Sequence, residues 1–311
     1  MTHEKKWAFI VNPVAGQGYA LEYSSHVQEM VKKHDINGTL YFTERRGHAT
    51  ELAKQLAEEG YTHIIAVGGD GTANEAARGI LDYDHITFGV VSAGTGNDFA
   101  PVIGFSEHFT DQDWDVFFQE NTIKMDIGRC NENYFLNGMG LGFDAQVASE
   151  NYNADGTLKE KGNRNYWWHI VKNLLLYKEK TFQFEKNGKN EHALTFMKTI
   201  SIGRRLAGGY YLTPQAIAND GLFDVCLVER VTLPERFYLF QLVPKGQHLG
   251  HKKVKYFKTD RLILEFGKNV PHHLDGELFF AEKFDIQILP KKLRIIYNPQ
   301  GAHYFDVDKD V

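Results

Sequence analysis

A glycine-rich turn, Gly68-Gly69-Asp70-Gly71-Thr72, stands between a strand pattern and a helix pattern. Residues 64–67 are small or branched apolar residues, and helical composition begins at Thr72 or Ala73. Glycines let the backbone approach a ligand, and the first turn of a helix offers unpaired N–H groups to phosphate. The turn therefore predicts a phosphate-binding site at the carboxyl end of a strand. The alternative is a tight turn in which Asp70 caps the helix, although a cap does not need the surrounding glycines.

The first half of the chain alternates strand and helix patterns around this turn. The predicted strands cover residues 7–11, 40–43, 64–67 and 87–92, and the predicted helices cover residues 19–34, 49–59 and 72–81. Such alternation indicates an α/β domain with a parallel sheet, in which ligands bind beyond the carboxyl ends of the strands. Two more glycine-bearing turns follow strands, at residues 12–18 and 94–98. We expect all three turns to meet at one crevice.

From about residue 122 the pattern changes to strand after strand. Predicted strands cover residues 181–186, 223–229, 262–266, 284–289 and 293–297, and Asn187-Gly188 suits a two-residue hairpin turn. Two segments, 166–177 and 233–242, have helical composition. A chain of 311 residues is long enough for two domains. We expect an α/β domain over residues 1–125, a β-rich domain over 126–294, and a return of residues 295–311 to the first domain.

Composition and motifs exclude several classes of protein. The net charge of −5 argues against a general nucleic-acid binder, and Cys130 and Cys226 have no metal-ligand spacing. The turns contain neither the Gly-x-Gly-x-x-Gly of dinucleotide oxidoreductases nor the Gly-x4-Gly-Lys-Ser/Thr of P-loop nucleoside triphosphatases. No apolar run approaches the ~18–20 residues that span a bilayer. We expect a cytoplasmic protein.

Charge is distributed unevenly along the chain. Residues 151–270 contain 20 Lys or Arg and 11 Asp or Glu, a local charge of +9, whereas the remainder has a charge of −14. This basic part either faces an anionic partner or is merely solvated. Aromatic and basic residues suggest a membrane-facing surface with reversible, peripheral attachment, although Trp167 and Trp168 could equally pack in a core. The residues of this surface are Lys159, Lys161, Arg164, Tyr166, Trp167, Trp168, Lys252, Lys253 and Lys255.

Histidine pairs occur at His248 and His251 and at His272 and His273, without a carboxylate at zinc-protease spacing. We therefore assign the first pair to a solvated basic face rather than to a metal site.

Carboxylates could supply both metal binding and proton transfer. Carboxylates bind hard cations such as Mg²⁺, which neutralise phosphate charge, and they can take a proton from a hydroxyl group. The candidates lie at turns or strand ends, where a cap or a solvated turn is the alternative for each alone. They are Asp70, Asp98, Asp126, Asp275 and Glu277.

The order of the motifs resembles the diacylglycerol kinase catalytic-domain family of soluble lipid kinases, which includes bacterial diacylglycerol kinases and the sphingosine and ceramide kinases. Gly-Gly-Asp-Gly-Thr alone is shared with NAD kinases and their phosphofructokinase-like relatives, but the combination with Gly-Thr-Gly-Asn-Asp-Phe-Ala and Asp-Gly-Glu is specific. The matching blocks are Val11-Asn12-Pro13, Thr43, Gly47-His48-Ala49, Gly68 to Glu75, Gly94 to Ala100, Asp126-Ile127-Gly128, Asn137 to Asp144, Asn219-Asp220-Gly221 and Asp275-Gly276-Glu277.

This resemblance implies an α/β nucleotide-binding domain, a β-sandwich-like second domain and ATP in the cleft between them. It implies that Glu277 is the general base in bacterial members, whereas Asp70 is the proposed base in some relatives, so both remain candidates, with Asp275 and Asp98 also catalytic. Asp98 and Asp126 would organise Mg²⁺ through water. The implied nucleotide positions are Asn12, Thr43, Gly68, Gly69, Asp70, Gly71, Thr72, Ala73, Asn74 and Thr95.

A structural Mg²⁺ is implied as well, held by the Asp220 carboxylate and the main-chain carbonyls of Ile217 and Leu222. From sequence alone this segment reads as a turn, and Asn219 and Asp224 are further oxygen donors.

The expected function is an ATP- and Mg²⁺-dependent lipid kinase acting on a hydroxyl of a membrane lipid, diacylglycerol-like or sphingoid-type. The alternatives are an NAD kinase-like soluble enzyme and a nucleotide-binding regulator that has lost turnover. The expected partners are ATP and a lipid at a membrane surface, with no nucleic acid, and a homodimer is left open.

Overall fold

The computed structural model of the chain describes residues 5–150, 166–186 and 189–307. The chain divides into two compact units. Unit 1 comprises Met1–Ile127, Ala218–Gly221 and Leu289–Val311, and unit 2 comprises Gly128–Ile217 and Leu222–Ile288. The short segment Ala218–Gly221 thus joins unit 1, although the residues on both sides of it belong to unit 2.

Unit 1 is an α/β unit built on a parallel sheet. Its strands are ordered β2-β1-β3-β4, and Ile295 pairs in parallel with Phe88 of β4. The strands β1, β3 and β4 are buried throughout, as expected when helices cover both faces of a parallel sheet. The elements are β1 Trp7–Val11, α1 Tyr19–Lys33, β2 Gly38–Phe42, α2 His48–Glu58, β3 His63–Gly68, α3 Asp70–Ile80, β4 Thr87–Ser92, α4 Asp111–Phe117 and β5 Thr122–Cys130, which ends in unit 2.

An aromatic cluster fills the end of unit 1 where α4 packs. Trp7 stacks on His63 with ring centroids 4.0 Å apart, and Trp114 of α4 contacts Phe9 and Phe118. A capping box, in which Thr110 and Asp113 exchange hydrogen bonds, starts α4. The sequence analysis did not predict this helix, because it is only two turns long.

Unit 2 is dominated by an antiparallel sheet in the order β11-β10-β9-β7-β12-β13, with β8 pairing β9 and β12. An apolar cluster that includes Phe143, Leu174, Met197 and Leu239 forms its core. The elements are β6 Asn133–Phe135, β7 Gly138–Gly142, α5 Phe143–Ser149, α6 Tyr166–Leu176, β8 Lys180–Lys186, β9 Lys189–Ser201, β10 Phe223–Glu229, α7 Leu233–Leu242, β11 Val254–Thr259, β12 Arg261–Leu274 and β13 Glu277–Ile296.

Two predicted strands are a single element in the structure. Residues 284–289 and 293–297 both lie in β13, which runs for 20 residues, and residues 262–266 are part of the 14-residue β12. Exposed charged residues interrupt the apolar pattern of both strands, which made them look shorter in the sequence. Lys186 pairs with Lys189, whereas the predicted hairpin turn Asn187-Gly188 lies outside the described residues.

The part of the chain that the structure describes contains no helix long and apolar enough to cross a membrane.

Candidate active site

Asp70 lies inside the first turn of α3 rather than before it. The helix begins at Asp70, two residues earlier than predicted, and Gly69 is the N-cap residue without a side-chain cap. The carboxylate of Asp70 accepts hydrogen bonds from the backbone N–H groups of Asp98 and Phe99, each at 3.0 Å. Asp70 therefore does not cap α3. It joins the turn after β3 to the turn after β4.

The two turns also meet through their glycines. A Cβ atom on Gly94 would lie 2.3 Å from the Cα of Gly69, so a larger residue at Gly94 would force the turns apart. Asn97 supports this contact from the other side. Its Oδ1 accepts the N–H of Gly94 at 3.0 Å and its amide donates to the carbonyl of Glu107 at 2.7 Å.

Asn97 was not among the predicted site residues. It lies in the family-matching block Gly94 to Ala100, and its φ of +51° is a left-handed conformation that asparagine tolerates better than most residues.

The turn after β1 lies against the turns after β3 and β4. The Asn12 side chain donates to the Thr72 hydroxyl at 3.0 Å, and the Thr43 N–H donates to the carbonyl of Val11 at 2.9 Å. A Cβ on Gly16 would lie 2.7 Å from the carbonyl oxygen of Ala93, after β4. The structure therefore brings the three glycine-bearing turns together at the carboxyl ends of the parallel strands.

The first turn of α3 offers main-chain groups more than side chains. Thr72, Ala73 and Asn74 are buried, whereas Gly71 is half-buried and Thr95 is exposed. A Cβ on Gly71 would meet no other atom within 4 Å. The first N–H groups of a helix have no intrahelical partner, so the N-terminus of α3 suits an anion that approaches past Gly71.

Asp275 lies in the turn between β12 and β13 in unit 2, and Glu277 directly follows this turn. Leu274 pairs with Glu277, and both turn residues, Asp275 and Gly276, have positive φ angles of 46° and 88°. The Asp275 carboxylate accepts backbone N–H groups of Leu136, Asn137 and Gly138 at 2.7, 3.0 and 2.9 Å. Asp275 therefore ties this hairpin to the start of β7, and the half-buried Glu277 follows it on β13.

Two families match successive parts of the chain. Residues 6–130 match the family described as "Diacylglycerol kinase catalytic domain", and residues 138–297 match the "YegS C-terminal NAD kinase beta sandwich-like domain". The chain belongs to the diacylglycerol kinase catalytic-domain family. The predicted fold class, an α/β domain followed by a β-sandwich-like domain, is thereby confirmed.

Curated relatives of this family cover nearly the whole chain. The chain is 27% identical over 301 residues to a diacylglycerol kinase of Staphylococcus carnosus, covering 96% of both chains. It is 26% identical over 275 residues to a diacylglycerol kinase of Bacillus subtilis, covering 88% of this chain and 90% of that one. Among solved structures, a putative diacylglycerol kinase from Bacillus anthracis shares 22% identity with a TM-score of 0.79, covering 96% and 97% of the two chains. That structure supports the fold.

Asp126, predicted from the family pattern to organise Mg²⁺ with Asp98, is fully buried on β5. Its two carboxylate oxygens accept the backbone N–H groups of Gly221 and Lys291, each at 2.7 Å. Burial raises the pKa of Asp126 to about 6, against the opposing effect of these two donors. Because the carboxylate is enclosed and fastens two distant segments to β5, the structure gives it an anchoring role, which does not fit the expected contact with Mg²⁺-bound water.

The segment predicted to hold a structural Mg²⁺ contains the half-buried residues Ile217, Asp220 and Leu222. The charge of Asp220 is close enough to contribute to the raised pKa of Asp126. One carboxylate and main-chain carbonyls are the oxygen donors that a hard cation prefers, so the donor set fits Mg²⁺.

The two additional donors considered for this metal are engaged elsewhere. The side chain of Asn219 pairs with the backbone of Asp306 through both its oxygen and its nitrogen, at 2.8 and 3.0 Å. Asp224 is fully buried and accepts the hydroxyl of Tyr256 at 2.6 Å. Across the described residues, no three or more His, Cys, Asp or Glu side chains group as metal ligands.

The expectation of a solvated face is wrong for His248. It is buried, its Nε2 lies 3.2 Å from the carbonyl oxygen of Leu212, and burial lowers its pKa. His272 and His273 are buried as well, and burial lowers the pKa of His272 to about 4. His273 lies 3.3 Å from the carboxylate of Asp144, above Gly140, where any Cβ atom would collide with both side chains.

Proposed function

We propose that this chain is a lipid kinase that transfers the γ-phosphoryl group of ATP to a hydroxyl of a diacylglycerol-like membrane lipid. The observation that carries the proposal is the convergence of three glycine-bearing turns at the N-terminus of α3, with Asp70 linking two of them. Such an arrangement suits a phosphate group without a P-loop lysine or a dinucleotide fingerprint. Family membership then supplies the reaction class.

ATP is assigned to unit 1. Backbone N–H groups of the first turn of α3 would bind its phosphates, approached past Gly71. Gly68 leaves room for the side chain of Thr72, and Gly69 leaves room for Gly94 after β4. The polar side chains Asn12, Thr43 and Thr95 complete the proposed nucleotide site. The buried side chains of Thr72, Ala73 and Asn74 support it from behind, and only their main-chain atoms would reach the nucleotide.

Mg²⁺ would neutralise phosphate charge when it is bound with ATP. Asp98 is the carboxylate we assign to it, since Asp126 is enclosed by its backbone donors. A second, structural Mg²⁺ is assigned to Asp220 and the carbonyls of Ile217 and Leu222.

Between the two candidates for the general base we favour Glu277. Both oxygens of Asp70 already accept backbone hydrogen bonds, so we assign it to holding the two turns together rather than to proton transfer. Asp275 likewise accepts three N–H groups, so we assign it to positioning of the hairpin that carries Glu277 rather than to proton transfer.

The acceptor is proposed from the relatives, which are named diacylglycerol kinase. A diacylglycerol presents one free hydroxyl and two acyl chains held in a bilayer. The enzyme must therefore work at a membrane surface, and we propose reversible, peripheral attachment. The comparisons lend no support to the NAD kinase alternative.

The test is to incubate the protein with γ-labelled ATP, Mg²⁺ and separate acceptors, namely vesicles containing diacylglycerol, a sphingoid base or ceramide, and soluble NAD. Label in phosphatidic acid supports the proposal, and label in another lipid changes the acceptor. Label in NADP would replace the proposal by the soluble enzyme. Binding of ATP without any labelled product would identify a silent nucleotide-binding protein.

A further inference from the structure

We propose that one face of α7, together with the end of α6 and the loop before β11, forms the surface by which unit 2 docks on an anionic lipid bilayer. We call it the α7 surface and define it by Leu175, Leu176, Leu233, Phe237, Tyr238, Lys245, His251, Lys252 and Lys253. It rests on the proposed function, because it names where the lipid kinase would meet its membrane.

The helix α7 is apolar on two opposite faces. Leu239 and the neighbouring Arg236 are buried against unit 2, whereas Leu233, Phe237 and Tyr238 are 43%, 39% and 54% exposed. Leu233 and Phe237 are one turn apart, and Tyr238 lies beside Phe237 on the half of the helix that faces away from Arg236 and Leu239. An ordinary surface helix would be polar on this side, and large exposed apolar patches mark sites of interaction.

The end of α6 enlarges the apolar area. Leu175 and Leu176 are 50% and 68% exposed, and the adjacent carbonyl of Leu174 accepts a hydrogen bond from Arg236 of α7 at 2.8 Å. Arg236 also pairs with Glu179 at 2.6 Å. These buried contacts join α6 to α7 within unit 2, so the exposed leucines directly follow a residue that contacts α7.

Basic residues lie close to this apolar area. Residues 230–255 contain six Lys or Arg and a single acidic residue, Glu235. Of these six, Arg236 is buried and paired with Glu179, so it does not add charge to the surface. Glu235 is occupied in capping α7 through Thr232, and His251 and Lys252 lie near enough to help lower its pKa. Lys255 forms an ion pair with Glu229. Among the described residues, no acidic side chain forms an ion pair with Lys245, Lys252 or Lys253.

A depression of about 600 Å³ lies between the apolar and basic parts. It is lined by Tyr238, Leu242, Gln247, Gly250, His251 and Lys252. Aromatic, amide and cationic groups on one side of an apolar helix match a phospholipid headgroup whose acyl chains lie against Leu233 and Phe237.

The charge of the surface decides which occupant it suits. A symmetric contact between two copies would place this basic surface against itself, which like charges oppose. Exposed leucines give nothing for nucleic-acid bases to hydrogen-bond. An anionic bilayer complements both parts, because apolar side chains enter the acyl boundary while each nearby Lys or Arg contributes about 1 kcal/mol, or roughly fivefold in binding. The predicted surface residues Lys159, Lys161 and Arg164 lie outside the described residues, as do the side chains of Tyr166, Trp167 and Trp168.

The experiment measures binding of the full chain to vesicles of phosphatidylglycerol with phosphatidylcholine, and to vesicles of phosphatidylcholine alone, by co-sedimentation. The wild type should bind the anionic vesicles, and this binding should weaken as the salt concentration rises. Phe237→Ser should weaken binding about tenfold through lost apolar burial, and Lys252→Glu with Lys253→Glu should weaken it at least as much. The matched controls, Leu21→Ser on an exposed helix of unit 1 and Lys268→Glu on β12, should bind like the wild type.

Two further readouts separate this inference from its alternatives. The activity of Phe237→Ser on a short-chain, water-dispersed diacylglycerol should equal that of the wild type, because the variant leaves the proposed catalytic residues in place. If the surface is instead a contact between copies, Phe237→Ser will change the mass in solution and leave vesicle binding unchanged, and this overturns the proposal. Equal vesicle binding by all variants overturns it too.

Failure of the proposed function gives a different result. The α7 surface would still bind anionic vesicles and lose this binding in the variants, although no lipid became labelled. Conversely, all variants could phosphorylate vesicle lipid equally fast. This result would support the proposed kinase activity and contradict the proposed role of the α7 surface.

Discussion

The carboxylate of Asp70 accepts the backbone N–H of Asp98 at 3.0 Å, across 28 residues of sequence. This hydrogen bond links the start of α3 to the turn after β4. A carboxylate in the middle of a glycine-rich motif is readily interpreted as catalytic. Here the hydrogen bonds of the Asp70 carboxylate show that it stabilises the conformation of the motif.

The Asp70→Asn variant tests this role. An amide has one oxygen for two N–H donors, and its own NH₂ group would face one of them. We expect a loss of about 1–3 kcal/mol in the free energy of unfolding together with weaker ATP binding. Asp82→Asn, at an exposed turn residue just after the same helix, is the control. Unchanged stability and unchanged ATP affinity in Asp70→Asn would contradict the role assigned to this contact.

Two glycine variants separate packing of the turns from access of the nucleotide. Gly94→Ala would place a methyl group 2.3 Å from the Cα of Gly69, so we expect it to lower both stability and ATP affinity. Gly71→Ala meets no other atom and replaces a helical glycine, so we expect it to stabilise the fold by up to about 1 kcal/mol. The added methyl group should still weaken ATP binding. Calorimetry of unfolding and of ATP titration measures both quantities, and unimpaired ATP binding by Gly71→Ala would mean that phosphate does not approach there.

The hairpin at Asp275 and Glu277 predicts two different losses. Asp275→Asn leaves at least one of three backbone donors poorly satisfied and should lower stability by about 1–3 kcal/mol. Glu277→Gln changes a half-buried side chain and should leave stability unaltered while reducing kcat by about 10²–10⁴, as expected for a general base. Urea unfolding and steady-state kinetics distinguish them. A Glu277→Gln enzyme with the wild-type kcat would remove Glu277 from the mechanism.

The pKa of His63 predicts how stability depends on pH. Burial lowers this pKa to about 4 in the folded chain, with Glu120 acting in the opposite direction, against an ordinary value of 6.5. As the pH falls below about 6.5, the unfolded chain takes up the proton first, so stability decreases until the pH reaches about 4. This difference in the pKa of His63 between the unfolded and folded chain corresponds to roughly 3 kcal/mol in the free energy of unfolding.

His63→Gln should therefore reduce the loss of stability between pH 6.5 and 4, although it also removes the stacking on Trp7. Urea unfolding at a series of pH values measures the slope, and the exposed His85→Gln is the control. His272 titrates in the same direction, so part of the slope should remain. A slope identical to that of the wild type would show that His63 is not the group that titrates.

The sequence predicts the parallel part of this fold closely, for a physical reason. Strands such as β3 are buried on both faces and read as unbroken apolar runs, and the glycines after them mark where the chain turns. The antiparallel strands β12 and β13 are exposed on alternating sides, so charged residues divide them into shorter apparent segments. Local patterns therefore describe unit 1 better than unit 2.

The remainder of the site depends on contacts that no local pattern reveals. Asp126 receives N–H groups from residues 95 and 165 positions further along the chain. A family motif identifies such an aspartate as important, but only the structure shows that its carboxylate is buried and saturated. Asn97 also makes contacts that a local pattern does not reveal. Its side-chain amide accepts the N–H of Gly94, three residues away, and donates to the carbonyl of Glu107, ten residues away.

The most direct test of the central claim follows the γ-phosphorus of ATP. The protein is incubated with γ-labelled ATP, Mg²⁺ and vesicles containing diacylglycerol, and ADP and labelled organic-soluble phosphate are counted together, with Glu277→Gln as the control. We predict one labelled phosphatidic acid for each ADP formed by the wild type, and almost none by the variant. ADP formed with all of the label in inorganic phosphate, or equal lipid labelling by both proteins, would contradict the account.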